Sequence, residues 1–296
     1  MLKRSHVRQF LAVVDAGSFT QAAARVRITQ PTLSVGIAEM EKLMGAKLFI
    51  RDRKHVRMTE AGAKFLPIAR QLEQGFRAAE SLTLEDDKRW PQVRLGLLRS
   101  LSGAMSQAAV STLSEIYDLE IVEGSAHDLR TALASGRLDA ALTLLRPEDM
   151  ADGAVALMSE PYMMMVPPGH ALAGQTVPPA ALAAEVMIAR RSCERLQETS
   201  RFFTKNGVRP RFALRSDNDD LCLRMVAAGL GITTAPLSLK IDTLQTVDIE
   251  GYDFTRTLGL CWSEDWKMSS AAAPARTRMA EVLQDTLGTF ADITGT

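Results

Sequence analysis

Residues 18–34 read Ser18-Phe19-Thr20-Gln21-Ala22-Ala23-Ala24-Arg25-Val26-Arg27-Ile28-Thr29-Gln30-Pro31-Thr32-Leu33-Ser34. Serine is a favoured N-cap, so Ser18 suits the start of the alanine-rich helix that follows. Ala22, Ala23 and Ala24 also have side chains small enough to let a second helix approach closely. A short break at 27–29 separates this helix from another. Thr29 suits the second N-cap, and Pro31 suits the first turn, where the N–H that proline lacks has no partner to lose. Leu33, Ile37 and Met40 fall on one side of the second helix, and Gln30, Thr32, Ser34 and Val35 on the other. Short polar side chains on such a face reach base edges in a major groove.

The flanking sequence extends this helix-turn-helix. Val7, Phe10, Leu11 and Val14 recur at the spacing of an amphipathic helix, and Gly17 suits its left-handed end. Gly45 stops the second helix of the motif. Residues 47–58 then read as two strand-like pieces, anchored by Leu48/Phe49 and Val56/Met58, around a basic turn. A wing of this kind would lay Arg51, Arg53 and Lys54 against phosphates or a minor groove.

Charge tells two stories. The 296 residues hold 35 Lys+Arg and 35 Asp+Glu, and a net charge of zero taken alone argues against nucleic acid. Residues 1–58, however, hold 11 basic and 4 acidic residues, a net of +7, which leaves a net of −7 on residues 59–296. A basic head on an acidic body is the asymmetry of a nucleic-acid-binding module joined to something else. The apolar run Phe10–Val14 is shorter than the roughly 7–15 residues of an export signal. No run approaches the ~20 apolar residues of a membrane span. Cys193, Cys222 and Cys261 are odd in number and far apart, which suits a reducing compartment. A cytoplasmic protein with no membrane association is expected.

The composite of Ser18-Phe19-Thr20, Ala22-Ala23, Thr29 to Ser34, Ile37, Met40-Glu41, Leu43, Gly45, Leu48-Phe49, Arg51 and Met58-Thr59-Glu60-Ala61-Gly62 closely resembles the N-terminal domain of the LysR-type transcriptional regulators. The resemblance implies double-stranded operator DNA as partner, with Gln30, Pro31, Thr32 and Ser34 contacting it from the helix and Arg51, Arg53 and Lys54 from the wing. Two departures stand out. Val35-Gly36 replaces residues that are often polar or basic in the family, and Arg53 stands where the wing commonly has glycine.

A helical stretch from Thr59 to about Leu84 carries Phe65, Ile68, Ala69, Leu72, Phe76, Ala79 and Leu82 at three- and four-residue intervals. Some 25 helical residues would extend about 37 Å, too far to be covered by a small head, so a partner helix is its natural cover, with packing against the body as the alternative. In the family resembled, this linker helix pairs with its twin, which implies a homodimer or homotetramer. Residues 85–91 are a charged, Pro-terminated hinge.

From Val93 onward, short apolar runs alternate with amphipathic helices, the texture of βα units with parallel sheets. The organisation expected is a multidomain α/β protein. A winged helix-turn-helix spans 1–58, a linker helix 59–84, the hinge 85–91 and a regulatory domain 92–296. The last comprises one lobe at about 92–159 with 266–293 and another at about 160–265. Ligands of such sheets sit beyond the carboxyl ends of strands. The resemblance implies a small effector bound between the lobes, as in periplasmic solute-binding proteins, and Ser100, Ser102, Thr143 and Arg191 are the candidates to line its site. Hydroxyls and a guanidinium favour a small carboxylate or other anion, although Asp217, Asp219 and Asp220 would oppose one if they share the cleft.

His6, His55, His127 and His170 show no metal-ligand spacing, and nucleotide-binding loops and hydrolase motifs are absent from the sequence. The expectation is a non-enzymatic regulator without cofactor, working with RNA polymerase. Two alternatives stay open. One is a solute-binding or enzymatic α/β protein whose head binds protein. The other is a regulator that responds through oxidation of Cys193, which stands beside Arg190 and Arg191.

Overall fold

In the computed structural model, which describes residues 1–51, 56–82 and 92–294, the chain divides into two units, Met1–Pro91 and Gln92–Thr296. The first unit opens with α1 (Arg4–Ala16), which ends at Gly17 with φ +62°, a left-handed conformation that favours glycine. Helices α2 (Phe19–Arg25) and α3 (Gln30–Met44) follow. Ser18 holds the extended N-cap conformation, but its side chain makes no capping hydrogen bond. Thr29 does cap α3, accepting from the Thr32 N–H at 3.3 Å. Between the two helices Arg27 adopts φ +57°.

Strands β1 (Phe49–Arg51) and β2 (Val56–Met58) pair antiparallel and lead into α4 (Glu60–Leu82). Phe10, Leu33, Ile37, Met40 and Leu48 are wholly buried in this unit, and the rings of Phe10 and Phe65 meet edge to face with centroids 5.1 Å apart. Phe65 and Ala69 face this core, whereas Ile68 (51% exposed), Leu72 and Phe76 do not.

The second unit begins with β3 (Gln92–Leu98), α5 (Gly103–Ser114), β4 (Asp118–Gly124), α6 (Ala126–Ala134), β5 (Ala140–Leu144) and α7 (Pro147–Ala151). Here β3 runs parallel to both β4 and β5. Next come β6 (Val155–Val166), β7 (Thr176–Val177), β8 (Val186–Arg190), α8 (Leu196–Lys205), β9 (Arg211–Ser216), α9 (Asp219–Ala227), β10 (Thr233–Pro236) and β11 (Gln245–Ile249). The chain closes with β12 (Thr255–Trp262), α10 (Glu264–Met268) and α11 (Ala273–Thr294).

One expectation is corrected here. The sheets are not simply parallel. The order β4-β3-β5-β12-β6-β11-β7 contains β12 antiparallel to both β5 and β6, because β6 and β12 are crossover strands rather than members of βα units. Tyr162–Val166 enters the second lobe within a longer element. It is the second half of the 12-residue β6, whose first half pairs with β12 and whose second half pairs with β10 and β11. One strand thus serves both lobes. Strand β12 carries the chain back to the first lobe, since Leu258, Leu260 and Trp262 pack in the first-lobe core with Leu95, Leu142 and Leu283. Among the described residues no helix is long and apolar enough to cross a membrane.

Candidate functional site

Thr29 and Pro31 start α3 at the surface, and the cap determines what stands there. Gln30, Pro31 and Thr32 are exposed and Ser34 is half-buried. The Gln30 Nε2 donates to Ser34 Oγ at 2.9 Å, and the Thr29 and Thr32 hydroxyls are 2.8 Å apart. Four expected contact residues are thereby gathered on the first turns of one helix. Of the wing candidates, Arg51 ends β1, while Arg53 and Lys54 lie outside the described residues, as does the Arg51 side chain. Gly36 is buried against α1. The Gln9 carboxamide of α1 occupies the space that a side chain on Gly36 would take. Exposed Arg27, read in sequence only as part of a break, is a further cation close in the chain to the start of α3.

Glu41 ties α3 to the wing. It is buried, accepts from the N–H groups of Leu48 (2.9 Å) and Phe49 (3.3 Å), and meets Lys47 Nζ at 2.7 Å. Burial pushes its carboxyl pKa up, but the hydrogen bonds and the Lys47 charge outweigh burial and hold it below the ordinary value.

In the second unit the crossover strands create a charged centre. Glu160 of β6 and Arg256 of β12 are opposed in the antiparallel ladder, with Nε and Oε1 2.8 Å apart, and both are almost wholly buried. Arg256 Nη1 also donates to Ser100 Oγ (3.0 Å) and Glu194 Oε1 (2.8 Å), and Nη2 to the Ser100 carbonyl (3.1 Å). The Ser238 N–H and hydroxyl complete the Glu160 carboxylate at 2.7 and 2.9 Å. Ser100 closes the circuit by donating to Glu194 at 3.2 Å. Burial opposes the charge on Arg256, and Glu160 and Glu194 more than restore it. Burial likewise pushes Glu194 up while Arg256 pulls it below the ordinary carboxylate range. Tyr162 is held protonated, chiefly by burial and then by the Glu194 charge.

The four candidates from sequence do not share one environment. Ser100 lies at the centre of this network. Thr143, near the carboxyl end of β5, is wholly buried, and its hydroxyl has no hydrogen-bond partner among the described residues. Ser102 is the N-cap of α5, accepting from the Met105 N–H at 3.2 Å. Arg191 is exposed, while its neighbour Arg190 is buried and forms a two-pronged pair with Asp219 at 2.8 and 2.7 Å. Asp219 is therefore neutralised from within. Sequence reasoning missed Glu160, Glu194 and Arg256. The available signal was Glu160 among the apolar residues of 157–166, since a charge within a buried strand requires a partner. The partner, 96 residues away, had no such mark.

Cys193, Cys222 and Cys261 are all buried. Burial pushes the Cys193 thiol up, and the nearby Arg190 charge does not reverse it. The lowered pKa that the adjoining arginines would give an exposed Cys193 is thus absent.

Comparison with known proteins supports the same division. The profile described as bacterial regulatory helix-turn-helix protein, lysR family, matches residues 5–63, and that of the LysR substrate binding domain matches residues 89–284. The chain is 28% identical over 284 residues to the RuBisCO operon transcriptional regulator of Allochromatium vinosum, covering 91% of this chain and 93% of that one. It is 30% identical over 240 residues to a probable hydrogen peroxide-inducible genes activator of Mycobacterium leprae, covering 78% and 77%. A full-length OxyR variant from Pseudomonas aeruginosa has a similar fold, with TM-score 0.66, 22% identity and coverage of 97% of this chain and 95% of that one. With both signature domains present in order along one chain, this protein belongs to the LysR family and is a DNA-binding transcriptional regulator with an effector-binding domain.

Proposed function

We propose that Gln30, Pro31, Thr32 and Ser34 read operator DNA in a major groove, with Arg51, Arg53 and Lys54 holding adjacent phosphates, and that a small carboxylate effector acts between the lobes. The exposed cluster of polar side chains on the capped start of α3 carries the DNA reading. For the effector, the Arg256 guanidinium and Ser100 hydroxyl are the receptors, and Glu194 is the carboxylate they hold in this structure. An effector carboxylate would take the place of Glu194, with the unpaired Thr143 hydroxyl offering a further contact. Losing that contact would free the second lobe to settle differently against the first, and the ligand selects the arrangement it binds better. Ser102 would hold the Ser100 loop through its cap, and Arg191 would attract an anion from solvent. The protein works in the cytoplasm as a homodimer or homotetramer, without cofactor or catalysis, and acts on RNA polymerase from its operator. Exposed Ile68, Leu72 and Phe76 on α4 support self-association.

Fluorescence anisotropy with the DNA beside its own gene, and with random DNA, tests the first part. Gln30→Ala and Ser34→Ala should each lower the preference for the operator by about tenfold, while Arg51→Ala weakens both DNAs alike. Equal losses on both DNAs for all three variants would remove the assigned roles. For the second part, a carboxylate found by thermal shift of the full chain should raise the melting temperature of Ser100→Ala much less than that of the unmodified protein. An undiminished shift in Ser100→Ala would place the effector elsewhere.

A second reading, oxidation of Cys193, draws support from the likeness to hydrogen peroxide-inducible genes activators. Burial of that thiol and its raised pKa weigh against it, and unchanged peroxide-dependent regulation in Cys193→Ser would end it.

A further inference from the structure

A cavity of about 250 Å³ opens within the second lobe, between α8 and strands β8 and β9. Its walls are mainly apolar, with Met187, Leu196, Phe203, Val208 and Phe212 among them. Ser100, Glu160, Glu194 and Arg256 take no part in its lining, so it is separate from the interlobe centre. A cavity of about 150 Å³ accepts benzene, so this one has room for about ten non-hydrogen atoms.

The polar groups of its wall sort into two sets. Thr199 is engaged with the Tyr252 hydroxyl at 2.7 Å, Thr233 with the Ile188 carbonyl at 2.8 Å, and Arg190 with Asp219. Ser200, Thr204 and Arg209 also line the cavity, are exposed, and have no side-chain hydrogen bond or ion pair among the described residues. Ser200 and Thr204 stand four apart on α8 and so share one face. The surrounding stretch 190–215 holds eight basic and two acidic residues, although the body as a whole is acidic. The cavity thus combines an apolar interior with a cationic, hydroxyl-bearing exposed side, and its one free cation among the described lining residues is Arg209.

We propose that this cavity is a second ligand site, distinct from the interlobe one, for a small monocarboxylate with an aromatic or branched apolar body. The body fills the space between Phe203, Met187 and Phe212. The carboxylate lies at the exposed side against Arg209, where Ser200 and Thr204 donate to its oxygens.

Isothermal titration calorimetry of the full-length protein with phenylacetate and with neutral phenylacetamide tests the site. Each titration is repeated in Ser100→Ala, so that binding between the lobes is separated from binding in the cavity. Saturable phenylacetate binding should persist in Ser100→Ala. Arg209→Gln should weaken phenylacetate about tenfold and phenylacetamide less than about twofold, a difference that a merely structural role would not produce. Ser200→Trp, from an exposed position, should fill the cavity and abolish binding of both, with folding verified by unchanged operator binding. The proposal is overturned if phenylacetate does not bind, if binding disappears in Ser100→Ala, or if it survives in Ser200→Trp. Disappearance in Ser100→Ala would leave the interlobe reading standing, so the two proposals fail separately.

Discussion

Glu41 illustrates at the residue scale how one buried charge can join two elements. Its carboxylate satisfies the N–H groups of Leu48 and Phe49 that open the wing, so α3 and the wing keep one relation to each other. The pH dependence follows from its lowered pKa. Folding holds the acid below its ordinary 4.5, so its contribution is complete above that pH and is lost as pH falls through the lower folded value. Glu41→Gln should therefore cost about 2 kcal/mol at neutral pH, the worth of charge-assisted hydrogen bonds to a buried group. Urea unfolding of both proteins across pH 7 to 3 would test this, and a gap that stays constant down to the lowest pH would refute it. Glu41 could be seen in the sequence as part of the helix and of the family resemblance. Its hydrogen bonds could not, because they depend on the wing folding back onto α3.

At the scale of elements, the junction of wing and linker helix turns on Gly62. A glycine inside a helix normally costs about 0.5–1 kcal/mol relative to alanine, so helix propensity alone predicts that Gly62→Ala stabilises. The tertiary contact reverses the sign. A Cβ at Gly62 would sit 2.3 Å from the Leu48 carbonyl oxygen, and backbone cannot give way as a flexible side chain would. Gly62→Ala should destabilise the N-terminal unit by about 1–3 kcal/mol, as other overpacked sites do. A raised melting temperature would show that the contact yields easily. The longer helices of both units were legible because capping and periodicity act over three or four residues. β6 was not, because its two halves pair with different partners and no local pattern distinguishes a strand that leaves one lobe for another.

For the whole molecule, the neutral total conceals a head of +7 and a body of −7. DNA binding by such a head releases counterions, so affinity for any DNA should fall by about a hundredfold or more between 50 and 200 mM salt. A flat response would mean that the basic residues are not at the interface.

The sequence by itself determined the helix-turn-helix, its Thr29 cap, the charge asymmetry and the alternation of the body, because each is written in residues close together in the chain. Ser100 was also within its reach, as a serine following a strand. Tertiary structure alone decided that Ser100 meets Arg256 and Glu194, that Thr143 is left unpaired, and that Arg190 rather than Arg191 is the buried cation. It also decided where α8 leaves space over β8 and β9. These features come from residues tens of positions apart or more, which meet only in the folded chain. A buried charge announces that it needs a partner, but only the folded backbone decides which one it finds.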